Sequence, residues 1–216
     1  MYDATLIVIL WVIGEKRAKK GMEDTQTRKD VQRLRGSLGE LPEPMVKPAF
    51  VVVSGLPGSG KSYFCRRLSE RLPFPILESD ALRRLLSPTP NYSRGENDRL
   101  FRACHLLIEE LLRTGIPLIF DATNLIERHR EYLYHIAEGM GARLIMVRIK
   151  APPELVRQRL EGRSIGANHE DKSEADWKVY QKMSASAQRI RRNHFAVDTS
   201  RDITPAIDKI VREANR

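Results

Sequence analysis

The sequence predicts an α/β fold: a doubly wound, mostly parallel sheet of five strands with helices on both faces. Three observations carry that expectation. Short, unbroken apolar runs recur along the chain, the clearest being AFVVVS from Ala49 to Ser54. Amphipathic stretches with helical spacing alternate with these runs. The first run also feeds directly into a glycine-rich turn that opens a helix.

The elements follow in order. AFVVVS has no polar alternation, as expected for a strand buried on both faces. After the glycine turn, KSYFCRRLSERL spaces Phe64, Leu68 and Leu72 by four, a helical stripe. FPILESD reads as a second strand ending in an acid. SRGE, Ser93 to Glu96, has the form of a capping box. It opens a helix with Leu100, Cys104, Leu107 and Leu111 on one face, stopped by Gly115. IPLIFDATN is a third strand, LIERHREYLYHIAEGMG a helix and ARLIMVRIK a fourth strand. PPELVRQRLEGR starts a further helix. The polar SIGANHEDKSEAD leads into another, expected to run to about Ile190, with Trp177 and Tyr180 packing it. HFAVDTS is a last short strand, and TPAIDKIVREA closes the chain as a helix capped by Thr204.

The first 47 residues read differently. ATLIVILWVIG, Ala4 to Gly14, is an apolar run of 11 residues, well short of the roughly 20 that a membrane-spanning helix needs. The basic EKRAKK follows it rather than precedes it, unlike a secretory signal. A shallow membrane contact and an upstream extension with Met22 as the natural start are both open readings, and stable membrane insertion is not expected. From Gly21 the sequence is polar and ends in LPEPMVKP, which reads as an extended linker. Residues 1–47 are thus expected to be extension and linker, and 48–216 the folded domain.

The formal net charge is +9, which favours acidic ligands such as nucleotides, phosphorylated compounds or nucleic acid. The two cysteines, Cys65 and Cys104, form no C-x-x-C pair, so a zinc or thioredoxin-like motif is not expected. A reducing, cytoplasmic compartment is the simplest reading. The five histidines show no metal-ligand spacing.

The chemistry concentrates in the loops. GLPGSGKS, Gly55 to Ser62, fits G-x-x-x-x-G-K-[ST] between a strand and a helix. Its glycines let backbone N–H groups from Gly58 through Ser62, including Ser59 and Gly60, converge on phosphate oxygens. Lys61 is expected to reach the β- and γ-phosphates of a nucleotide, and the Ser62 hydroxyl to hold Mg²⁺. Asp80 follows the second strand, at the carboxyl edge where ligands bind open sheets. By position alone it reads equally as a general base or as a helix cap. Arg83, three residues on, would lie on the same side and clamp an anionic group of an acceptor. Asp121 ends the third strand as an acid that orders Mg²⁺ or its waters beside the phosphate loop. Asn124 reads both as a capping box with Glu127 and as a substrate contact. Arg159 and Arg163, four apart on one helical face, would place two cations before a lid that closes over the γ-phosphate.

Taken together, GLPGSGKS, DALR, DATN and RQRLEGR resemble the P-loop kinases that include bacteriophage polynucleotide kinase and its single-domain bacterial relatives, with zeta-toxin-like kinases sharing the layout. The resemblance spans Ala49 to about Ala214 and implies a five-stranded, nucleoside-monophosphate-kinase-like P-loop fold with a lid. It implies Asp80 as the base for an acceptor hydroxyl, Arg83 on acceptor phosphate, Asp121 at the metal and acceptor site, and Arg159 with Arg163 on the donor phosphates. Tyr63 departs from the Thr or Ser found in many such kinases, so a second hydroxyl contact is missing. The expected function is ATP- and Mg²⁺-dependent phosphoryl transfer to a hydroxyl of a nucleic acid, nucleoside or small metabolite. The alternative is a regulatory or binding ATPase with no acceptor. The Asp80–Arg83 pair and the lid favour transfer, because a plain switch needs neither.

Overall fold

The structure, a computed structural model, describes residues 23–164 and 175–216. The apolar run at 4–14, the candidate start at Met22 and most of the polar stretch before the last three elements lie outside them. A helix over 23–35 (α1) comes first. Then follow β1 (Ala49–Ser54), α2 (Lys61–Ser69), β2 (Ile76–Glu78), α3 (Ser79–Leu86), α4 (Arg94–Arg113), β3 (Leu118–Asp121) and α5 (Glu127–Gly139). β4 (Arg143–Lys150), α6 (Pro153–Ser164), α7 (Trp177–Ser186), β5 (Phe195–Asp198) and α8 (Thr204–Ala214) complete the chain.

All five strands pair in parallel, in the order β2-β3-β1-β4-β5. The unbroken apolar run makes β1 central, since every one of its residues is buried. Its side chains alternate between faces. Phe50 and Val52 join a core with residues of α1, α3, α4 and α5, while Val51 and Val53 join another with α2 and α8. Two helical layers therefore sandwich the sheet. Burying each of these side chains contributes about 1.5–3 kcal/mol.

The segment expected to be linker is part of this domain from residue 23 on. Val31 and Leu34 of α1 are buried in the first core. Asp30 forms a two-pronged pair with Arg99 of α4, both hydrogen bonds at 2.7 Å. Farther on, the Met45 N–H donates to the Gly115 carbonyl at 2.7 Å. Three prolines hide this from a polarity reading, because α1 buries only a narrow apolar stripe and docks through an ion pair.

Several ends also differ from the sequence expectation. The Ser93 hydroxyl accepts the Glu96 N–H at 3.3 Å, as the box requires. The Glu96 carboxylate does not return to Ser93, however, and accepts from Arg83 and from the Asn91 N–H instead. The seventh helix stops at Ser186, and α8 is capped by Ile203, with Thr204 already helical.

Burial raises the pKa of Asp30, but hydrogen bonds from Arg99 and Gln26 outweigh it and hold the carboxyl below its ordinary value. A depressed carboxylate stabilises the fold above its unfolded pKa and loses that contribution as pH falls through the folded value. Asp30→Asn should therefore lower stability at pH 7 by about 2 kcal/mol in urea titrations. The gap to wild type should close as the pH is lowered into the acid range. Leu34→Ala should cost about 3 kcal/mol at any pH.

Candidate active site

Parallel pairing of β1 with β3 sets Val53 beside Asp121, at the carboxyl edge where the sheet order diverges. The glycine loop leaves β1 at that edge. Gly58 and Gly60 have φ of 74° and 90°, the left-handed region that side chains disfavour. Space forbids a side chain as well. A Cβ at Gly58 would lie 2.9 Å from Val156, and one at Gly60 would lie 3.0 Å from the Thr199 hydroxyl. Among the described residues, no hydrogen bond engages the N–H groups of Gly58, Gly60, Lys61 or Ser62. Together with the start of α2 they form a ready anion site. Ser59 departs from the expected cradle, since its N–H donates to the Leu56 carbonyl at 3.2 Å. The Lys61 ammonium lies back along the loop, 3.2 Å from the same carbonyl.

The Ser62 hydroxyl donates to the Asp121 carboxylate at 2.8 Å, and Asp121 is buried. A hydroxyl and a carboxylate side by side at a phosphate loop are hard oxygen donors, and they would suit Mg²⁺. No group of three or more His, Cys, Asp or Glu side chains suited to a metal occurs among the described residues. The two oxygen donors, Ser62 and Asp121, fit Mg²⁺ better than a softer ion. Asn124 is neither a helix cap nor exposed. It is buried with φ 44°, and its amide donates to the Val53 carbonyl at 2.7 Å, while the Ser54 hydroxyl donates to its carbonyl at 3.0 Å. The helix that Asn124 was expected to cap starts after Ile126, and the Glu127 N–H donates to Gln188.

Asp80 lies in the first turn of α3, past Glu78, which holds the cap position. It is half-buried and makes no hydrogen bond or ion pair among the described residues. Arg83 is buried and turned to the start of α4, where it donates to Glu96 and Asn97 at 2.7 Å each and lies over the Tyr92 ring. Asp80 and Arg83 therefore share a helix turn without sharing partners. Arg159 docks on the phosphate loop: it donates to the Thr199 hydroxyl at 2.9 Å and to the Thr199 carbonyl at 3.0 Å. The Thr199 hydroxyl in turn donates to the Ser59 carbonyl at 2.7 Å. The Arg163 side chain lies outside the described residues.

Sequence reasoning missed two residues here. Thr199, after β5, is buried and ties the loop to Arg159. Arg130 is fully buried, bonded to Glu127, to the Asn124 carbonyl and to the carbonyls of Gln188 and Arg189. It fixes the segment leaving α7 beside the end of β3. Arg130 lay in plain view in LIERHREY, but only tertiary folding brings the segment at 188–191 to it.

Beside Ser62 and Asp121 opens a cavity of about 660 Å³ between α2, β2 and α3. Burial and the neighbouring Asp121 keep the Cys65 thiol in its wall well above the ordinary thiol pKa, so it stays protonated.

Loop, helix, sheet order and Ser62–Asp121 pair together define a P-loop NTPase of the α/β class. A family model described as an AAA domain matches residues 50–190, and the chain belongs to that family. Over 89 residues it is 35% identical to the adenylate kinase isoenzyme 6 homolog of Drosophila melanogaster, a match covering 41% of this chain. The chain spans about half the length of that curated relative, 47%. Among solved structures, a kinase from Chloroflexus aurantiacus, described as putative, superposes with a TM-score of 0.60 at 20% identity, covering 77% of this chain and 98% of that one. The APS kinase of Mycobacterium tuberculosis, solved with AMPPNP and APS, gives 0.57 at 20% identity, covering 81% and 100%. Among the described residues, no helix is long and apolar enough to cross a membrane.

Replacing Arg130 with Met would leave Glu127 buried without its partner. Thermal or urea unfolding should show a loss of about 3–5 kcal/mol. Gly60→Ala should weaken binding of a fluorescent ATP analogue at least tenfold, with the unfolding midpoint changed far less.

Proposed function

We propose that this protein is an ATP-dependent kinase that transfers the γ-phosphoryl group to a hydroxyl. The observation that carries the reading is the Ser62–Asp121 hydrogen bond at the phosphate loop, opening onto a cavity large enough for a second substrate. A nucleotide switch needs the first feature and not the second. The fold relatives whose names include kinase support the same class.

In this reading the loop N–H groups and Lys61 hold the β- and γ-phosphates. Ser62 and Asp121 would hold Mg²⁺, which when bound would supply charge neutralisation at those phosphates. The acceptor oxygen attacks the γ-phosphorus in line, its O–P bond forms as the bond to the β-phosphate bridging oxygen breaks, and ADP leaves. Asp80, with no partner among the described residues, receives the hydroxyl proton. Arg159 offers positive charge at the loop, with Arg163 one turn on. Arg83 orients the acceptor side through its hold on the start of α4, and Asn124 does so by fixing the end of β3.

The purified protein, γ-labelled ATP and Mg²⁺ with nucleosides, gluconate, adenylyl sulfate, AMP and 5′-hydroxyl oligonucleotides form the test. Label should appear on a hydroxyl acceptor. Asp80→Asn should reduce it by about 10²–10⁴-fold, with ATP affinity kept. Lys61→Ala should lose nucleotide binding and transfer together. Phosphate release without any labelled acceptor, equal in wild type and Asp80→Asn, would favour a hydrolysing regulatory module. Label on AMP alone, as the adenylate kinase homolog's name suggests for that protein, would replace the hydroxyl by a phosphate as acceptor.

A further inference from the structure

The cavity beside Ser62 and Asp121 has a wall that the family model does not include. Its floor comes from Ile76 and Glu78 of β2, and one side from Ala81, Arg84 and Leu85 of α3. The remaining side comes from Ser37 and Leu38. These two residues stand in the turn after α1, well before residue 50, where the family match begins. The turn is held in place. Ser37 donates its hydroxyl to the Leu34 carbonyl at 2.6 Å, Leu34 is fully buried, and Leu38 packs against the same core. The Asp30–Arg99 pair fixes the helix that delivers it.

We infer that the turn at 37–38 is the acceptor-selecting wall of the kinase, and that the cavity takes a small hydroxylated molecule with an apolar face rather than a nucleic acid strand. The inference rests on the phosphotransfer reading. A volume of about 660 Å³ suits a ligand of roughly nucleoside or sugar-acid size. Leu38, Ile76, Leu82 and Leu85 offer apolar contact, and Arg84 with Glu78 supplies polar groups that orient such a molecule. Ser62 and Asp121 line the same cavity, which sets it next to the end of the phosphate loop. A polynucleotide would need a cation-lined track, whereas the two cations of this lining, Arg66 and Arg84, are matched by two acids, Glu78 and Asp121. Because the wall lies outside the family's matched range, it can change without disturbing the phosphate loop.

The test uses Ser37→Cys in the full chain, alkylated with a bulky maleimide. Ser37 is exposed, whereas Cys104 is buried and Cys65, although it lines the cavity, is buried with its thiol held protonated, so wild type run alongside should take up far less label. Val46→Cys, at a fully exposed position, serves as the control. Alkylation at 37 should reduce transfer from γ-labelled ATP to the small-molecule acceptor at least tenfold in kcat/KM. Affinity for a fluorescent ATP analogue should stay within twofold, and the control should be unchanged. Leu38→Ala should raise the acceptor KM or widen the range of acceptors, with kcat and ATP affinity held. Unchanged transfer after alkylation would overturn the inference, as would a matching loss of ATP affinity, or phosphorylation of the oligonucleotide in preference to the small molecules. Absence of transfer to every acceptor in the unmodified protein would instead refute the kinase reading, and the selecting wall with it.

Discussion

The site depends on one register. β1 and β3 pair in parallel with Val53 opposite Asp121, which places the last residue of one strand beside the first turn of the loop leaving the other. A slip of one residue would turn every side chain of β3 to the opposite face and carry Asp121 away from Ser62. Burial on both faces blocks that slip less well than it would in a one-sided sheet, because β3 is apolar throughout its first three residues. The specifying contacts lie just past the strand. The Asn124 amide bonds Val53, and the Ser54 hydroxyl bonds Thr123 and Asn124. A left-handed Asn is the means: it turns the chain where a β-branched residue could not, and its side chain spans back to the neighbouring strand.

From that edge outward the architecture trades polar contacts for rigidity. The loop is gripped from its far side by Val156 and Leu160, which press against Gly58, and by the Arg159–Thr199–Ser59 chain. The apolar contacts carry most of the packing, while the hydrogen bonds fix which way the loop faces. Arg130 does the same for the segment after α7. A fully buried guanidinium is tolerable only because Glu127 and three backbone carbonyls accept its hydrogens, so it serves geometry more than net stability. Arg192 lies over the Tyr134 ring and pairs with Glu138, extending the clamp to the surface.

What the sequence made legible was the periodic and the local. The run at 49–54, the helical stripes and the glycine loop have signals within a dozen residues, and parallel pairing follows from alternation of strands and helices. Ser62 and Asp121 could be paired because each stands at a recognisable end of an element. What it concealed depends on distant partners. Asn124 next to Glu127 fits a capping box equally well, and only the neighbouring strand decides that its amide points inward. Arg83 at three residues from Asp80 suggests shared work, yet Glu96 and Asn97 claim it through a loop whose path no local pattern predicts. The helix over 23–35 looks like polar linker since its two core residues are outnumbered, and Asp30 finds Arg99 only across 69 residues.

The separation of Asp80 from Arg83 bears on the chemistry. An aspartate tied to a neighbouring guanidinium would have its oxygens occupied, and moving a proton to it would first require breaking that pair. Arg83 instead gives its two terminal nitrogens to Glu96 and Asn97 and lies over the Tyr92 ring, while its buried Nε stays unpaired. Charge-assisted bonds of this kind are about twice as strong as neutral ones, so the arginine will not swing back to Asp80 for a modest gain. The carboxylate is thereby left for another donor. Arg83, on α3, fixes the start of α4 and is not among the residues that line the cavity. In the proposed phosphotransfer, selection would fall to the turn at 37–38 and proton removal to Asp80 on α3, while the phosphate loop keeps its own clamp. That division would let the donor half remain constant as the acceptor half varies.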